Sequence, residues 1–346
     1  MSALRGKLHP ALPVEGATQA PISERRGMMK VVKKYILLFL SLIILCLGQS
    51  VASAYEEITV ISGGTLEGQV FLTGTPPPAR IFHLIFSPNI EFCRDISDGK
   101  GNRLLQEFHV SSDGGFQDVV VALVGVKKGK PFDYTPIIWI ENCQIKPFVT
   151  PVRNNHPITI SSVDPITHDI QAYTLKDEYT FAMFNKPMPA RASVTKEIVF
   201  RKGHYIFRTQ CGVHDYMQSW GMAVGNPYFA VTDREGRFII SDIPPGTYYL
   251  VAWHPHMEVQ AREVTISANG RVSADFSFDA NEVHIPLHDL QLNYRLGTWL
   301  EPRHLVPPKV KLQVLQEELI DVNSFRRGES VHEDNHGTLL MNFRNK

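Results

Sequence analysis

Residues 204–222 read "HYIFRTQCGVHDYMQSWGM". The first half alternates. Tyr205, Phe207, Thr209 and Cys211 fall on one face, and Ile206, Arg208 and Gln210 on the other. A period of two is the side-chain repeat of a β-strand, so Cys211 ends a strand on its Tyr/Phe face. The chain then enters a tight loop with His214 three residues after the cysteine and Met217 three residues later. A loop leaving a buried strand can aim a thiolate, an imidazole and a thioether at one point.

The strand reading extends outward. Val119–Val124 is a continuous apolar run, short enough for a buried strand. "ITIS" (158–161) and "EIVF" (197–200) read as strands too, and 24 Gly and 23 Pro punctuate the chain. No long amphipathic helix occurs before residue 308. The fold class expected is all-β, sandwich-like by strand length and turn density. With 43% apolar and 20% charged residues, the 346-residue chain is globular and long enough for two domains.

The net charge of zero hides a split. Residues 1–54 hold seven Lys/Arg and two Glu, which leaves 28 basic and 33 acidic residues in the rest. A mildly acidic body gives no reason to expect a nucleic-acid partner. The basic start belongs to "MMKVVKKYILLFLSLIILCLGQSVASA" (28–54): lysines, an apolar run from Tyr35 to Leu47, and Ala52-Ser53-Ala54 as a small-x-small cleavage site. The run is short for a bilayer span. Residues 28–54 are therefore expected to be a signal peptide cut after Ala54, leaving a periplasmic or secreted chain with no stable membrane span. An uncut signal would anchor the chain instead. Residues 1–27 read as an extension that is neither signal nor domain.

Cys46 leaves with the signal, and Cys93, Cys143 and Cys211 remain. Disulfides persist outside the cytosol, and an odd count leaves one thiol for another task. Cys93 ("EFCRD") and Cys143 ("ENCQI") lack metal-type neighbours and form the natural pair; the alternative is two free buried thiols. Cys211 is the one left over.

Zinc sites favour Cys and His and rarely use Met. One Cys, two His and a weak axial Met is the set of a blue copper centre. His168, in "SSVDPITHDIQAY", supplies the second histidine, 43 residues before Cys211. Met188 and Met222 are second-choice axial ligands; with Tyr216 and Trp220 they are expected to form an apolar rim through which electrons pass. Each ligand alone has a plainer reading: a strand-end histidine, a core methionine, a buried thiol. Their order, spacing and spare cysteine favour copper. His254 and His256 ("WHPHM") lack a partner cluster and read as a turn at a strand end. No Ser/His/Asp set, paired carboxylates or supported phosphate loop is present, so catalysis is not expected.

The C-x2-H-x2-M loop after this strand resembles that of the cupredoxins, the plastocyanin and amicyanin family. Gly203 to Cys211 is two residues longer than usual there, an even change that keeps the facing of Tyr205 and Phe207. Asp169 stands where the family has an asparagine that braces the cysteine loop. More widely, "NCQIKPFV", "VDPITHDIQAY", "CGVHDYM" and "NPYFAVTDREGRFIISDIPPGTYYLVAWH" are similar to exported plastocyanin-like proteins often labelled methylamine-utilisation proteins, over about residues 62–278. Within this, 226–278 resembles the carboxypeptidase regulatory-like domain, a small transthyretin-type β-sandwich that is usually non-catalytic. "GGTLEGQVFLTGTPPPAR" (63–80) resembles the opening strand of that module. It belongs either to that sandwich or to a cupredoxin-like domain spanning 55–225.

The resemblance implies a Greek-key cupredoxin sandwich plus a transthyretin-like one. Residues 279–346, with scattered apolar positions and the polar end "RRGESVHEDNHG", read as a polar tail. The resemblance also implies one type 1 copper held by His168, Cys211, His214 and Met217. The function expected is one-electron transfer, with a cytochrome or dehydrogenase as partner. The alternatives are copper delivery or storage, or a non-catalytic surface binding module.

Overall fold

A computed structural model describes residues 55–176 and 179–283. The expected N-terminal extension, the expected signal peptide and residues 284–346 of the expected tail lie outside the described residues. The described chain is all-β. Its strands begin with β1 (Glu56–Glu57), β2 (Gly64–Thr73), β3 (Arg80–His83), β4 (Asn102–Leu105), β5 (Val120–Val124), β6 (Lys128–Gly129) and β7 (Ile137–Glu141). Then come β8 (Gln144–Lys146), β9 (Val149–Val152), β10 (His156–Ser162), β11 (His168–Lys176), β12 (Tyr179–Met188), β13 (Ser193–Ile198) and β14 (Ile206–Cys211). The last seven are β15 (Gln218–Ala223), β16 (Phe229–Val231), β17 (Arg237–Ile243), β18 (Gly246–Trp253), β19 (Gln260–Ile266), β20 (Arg271–Ser273) and β21 (Phe276–Asp279).

Two sheets enclose the first core. One runs β13-β10-β7-β8, the other β12-β11-β14-β15-β9. Ile138, Ile140, Ile158 and Ile160 fill this core from the first sheet, and Val149, Val152, Ile170 and Phe207 from the second. β10 shows why its residues form a strand: Ile158, Ile160 and Ser162 point inward. Between them, Thr159 and Ser161 pair with the hydroxyls of Thr195 and Ser193 on β13. Such a β-sandwich buries one face of each sheet.

A second pair of sheets has the orders β16-β5-β18-β19 and β17-β2-β20, with β21 also pairing β2. The strand at 64–73 is antiparallel to β17 and parallel to β20 and β21. The turn from β16 to β17 is chemically determined. Asp233 Oδ1 accepts the N–H groups of Glu235 and Arg237, and Gly236 sits at φ +75° with Val70 O and Phe116 N where a Cβ would lie. Only glycine meets both conditions.

The apolar run at 119–124 has a specific use. Val121 and Leu123 of β5 enter the second core with Leu250 and Ala252 of β18. Val120, Ala122 and Val124 enter the first with Val251 and Trp253. Strand β5 and residues 250–253 of β18 are thus buried on both faces and belong to both cores. Full burial of an aliphatic side chain is worth roughly 1.5–3 kcal/mol, so this wall ties the two sandwiches together.

Because the wall is shared, denaturation should be one cooperative transition. Leu123→Ala should move that whole transition, lowering stability by about 2–5 kcal/mol. Urea unfolding followed by fluorescence and by far-UV circular dichroism checks this; two separable transitions would contradict it.

Candidate metal centre

The sequence brings the centre together through strand register. Cys211 lies opposite Ile170 on β11, which puts His168, two residues away, on the same face. Beyond the Gln210–Gln218 pair of β14 and β15, the loop closes on itself. Met217 N donates to His214 O at 2.9 Å, and Cys211 N to Met217 O at 3.2 Å. Cys211 Sγ ends 3.7 Å from His168 Nδ1 and 3.6 Å from His214 Nδ1. Both histidines are 0% exposed, and Cys211 and Met217 are 1% exposed.

These atoms fit a first-row metal ion. Bonds of about 2.0 Å to nitrogen and 2.3 Å to sulfur would span the observed separations at angles of roughly 115–120°. The tautomer fits as well. His168 Nε2 donates to Asp164 Oδ2 at 3.0 Å, so its Nδ1 presents a lone pair toward the sulfur. Burial holds both imidazoles neutral. Desolvation lowers the His168 pKa despite the opposing pull of Asp164. His214 falls to about 4, chiefly through desolvation and then through repulsion by His168. Desolvation raises the Cys211 thiol pKa, opposed by backbone N–H groups of Asp169, His214 and Val213 that favour the thiolate. A bound cation would reverse the thiol's preference and deprotonate it.

Asp164 is the residue that sequence reasoning missed. Buried at 1% exposure, it also accepts the backbone N–H of Asn142 at 2.6 Å and of Cys143 at 2.9 Å. Those two form the β7–β8 turn at φ +50° and +53°, a conformation that cysteine rarely adopts. Cys143 is bonded to Cys93 as expected. Its only signal in the sequence was Asp164-Pro165, which reads as a turn.

The chain between β3 and β4 covers the centre and was also missed. It makes short helical turns at Leu84–Phe86, Ile90–Cys93 and Arg94–Ile96. The Pro88 carbonyl lies close enough to His214 to oppose its fall in pKa, although Nε2 makes no well-formed hydrogen bond. The Phe82 ring packs at 4.9 Å against Tyr216, tilted by 56°, and Tyr216 is itself 6.1 Å from His214.

The remaining expected residues separate by strand face. Met188, buried, lies opposite His168 on β12. Trp220 and Met222 pair with Arg208 and Ile206, so they share the face of β15 opposite to that of Cys211. Tyr216 and Trp220 are buried. Asp169 braces the loop through its backbone: Gly212 N donates to Asp169 O at 2.7 Å, and Asp169 N approaches Cys211 Sγ at 3.5 Å. Its Oδ2 accepts from Gln171 at 2.9 Å. His254 and His256 are buried among Phe108, Phe148 and Trp220. His256 Nε2 is 3.4 Å from Glu107, which also pairs with Arg80. Among the described residues, His168, Cys211 and His214 form one metal-capable group, and Cys93, Cys143 and His214 the other.

Comparison with known proteins adds the following. A family model described as polysaccharide lyase family 4, domain II matches residues 207–274, well short of half the chain. No curated protein matches the chain. A purple cupredoxin from Nitrosopumilus maritimus is similar over 25% of this chain and 97% of its own, at 13% identity and a TM-score of 0.21. Amicyanin from Paracoccus versutus is similar over 27% of this chain and 82% of its own, at 10% identity and 0.21. A copper-containing nitrite reductase from Thermus scotoductus is similar over 29% of this chain and 24% of its own, at 13% identity and 0.22.

The buried histidines set a pH dependence for the metal-free protein. Below the ordinary histidine pKa of 6.5, the unfolded chain binds protons that the folded chain refuses until about pH 4. Stability should therefore fall as pH drops from about 6.5 toward 4 and then stop changing through this group. His214→Gln should flatten the slope in that window. Equal slopes in urea titrations of the two proteins would contradict the assignment.

Proposed function

We propose that the chain is an exported one-electron carrier with a single type 1 copper. His168, Cys211 and His214 would hold the metal, with Met217 as a weak axial donor. One observation carries the reading: a buried thiol with two imidazole Nδ1 atoms at 3.6 and 3.7 Å. Copper bound to such a set supplies a one-electron couple that changes geometry little.

This chain's residues do the rest. Asp164 fixes the His168 tautomer. The Asp169 backbone holds the cysteine loop and points an N–H at the sulfur, which stabilises negative charge there. Complete burial of the donors excludes water and favours a carrier over a delivery protein, whose ligands a recipient must reach. We place the mature chain, starting near Tyr55, in the periplasm or outside the cell, with no catalytic role of its own. Its partner would be a redox protein such as a cytochrome or dehydrogenase.

Copper-loaded protein should absorb intensely toward the red end of the visible range through thiolate-to-copper charge transfer. Cys211→Ser should abolish the band, because a hydroxyl is a hard donor. Met217→Leu should keep copper and raise the potential, since a donor to Cu(II) is lost. A colourless wild-type protein whose Cys211→Ser variant binds Cu(II) equally well would overturn the reading.

A further inference from the structure

The disulfide lies against a residue of the metal centre. The sulfurs of Cys93 and Cys143 and a ring nitrogen of His214 all lie within 4.8 Å of one another. All three residues are buried, at 1%, 0% and 0% exposure. While the sulfurs are bonded to each other, neither carries the thiolate charge that binds metals. Reduction would leave two thiols close together beside the His214 imidazole.

We propose that Cys93, Cys143 and His214 form a second metal site, present only when the bridge is reduced and selective for Cu(I). Two thiolates and one imidazole make a soft, low-coordinate donor set, which suits Cu(I). The electrons balance. A dithiol reductant gives two electrons and two protons to the bridge and closes to its own disulfide, yielding two thiols. Cu(I) then displaces the thiol protons to solvent and keeps its oxidation state. Two features hold the donors near their places after the bond opens. Asp164 still binds the Cys143 N–H, and Cys93 stays in the cover between β3 and β4 with its N–H on Asn89 O at 3.0 Å. Both ligand groups draw on the single imidazole of His214, so the state of the bridge decides which cysteines that imidazole serves.

The test removes the first ligand set. In a full-length Cys211→Ser/His168→Ala variant, the bridge is reduced anaerobically with a phosphine, excess reductant is removed, and Cu(I) is titrated against a chromophoric Cu(I) chelator. The reduced form should bind one Cu(I) at least about tenfold more tightly than the bridged form, with sulfur neighbours visible in X-ray absorption. Adding Cys143→Ser should abolish the gain. Adding His214→Ala should weaken binding by at least about tenfold while circular dichroism stays that of the folded chain. Equal affinity of the reduced and bridged forms would overturn the proposal. So would indifference to His214→Ala, because thiols of an opened chain need no histidine. Loss of the carrier reading leaves this outcome untouched, since blue colour in wild-type protein is a separate measurement.

Discussion

Strand β5 and residues 250–253 of β18 are buried on both faces, and the packing of both sandwiches depends on them. Alternate residues of each strand enter different cores, Val120 and Val251 one, Val121 and Leu250 the other. A strand with only one buried face can keep polar residues on the other; these two strands cannot where they pair. Neither sandwich can lose these strands without exposing an apolar wall. The candidate metal centre lies in the first sandwich, whose core shares this wall with the second.

Within that frame, Asp164 joins two features that lie far apart in sequence. Its carboxylate accepts from the turn that bears Cys143 and from the ring of His168. A buried carboxylate is costly unless fully hydrogen-bonded, and three donors meet that condition. The same bonds hold Cys143 at a positive φ and orient the imidazole. The disulfide and the metal group are therefore mechanically coupled through one side chain as well as through contact at His214.

What the sequence made legible was local or periodic. The alternation in 205–211 identified β14, and the spacing of Cys211, His214 and Met217 identified the loop because neighbours in a tight turn need no tertiary information. His168 followed by residue type. Asp164 was not legible, since a carboxylate before a proline has a sufficient explanation as a turn residue. The placing of 63–80 stayed open between two domains until the pairing of 64–73 with 237–243 was seen, because no local pattern encodes a partner so far along the chain. The facing of Trp220 and Met222 depends on how many residues the 211–217 loop consumes before β15 pairs. A one-residue change there would reverse both side chains. His254 and His256 read correctly as a turn, with His256 N donating to His254 Nδ1 at 3.3 Å, but nothing local revealed the aromatic cluster around them.

The cover over His214 sets how the centre can communicate. Both histidines and the cysteine are buried, so a metal could enter or leave this group only if a covering segment moved, and the 84–96 segment lies beside His214. That segment is anchored at its start by the preceding strand, whose Phe82 packs on Tyr216, and along its length by the Cys93–Cys143 bond. Apolar contacts yield to local opening, whereas a covalent bridge does not until it is reduced. Electron transfer needs only proximity and tolerates a closed cover; ligand exchange does not. The bridge therefore separates the two kinds of copper chemistry that this set of residues could support.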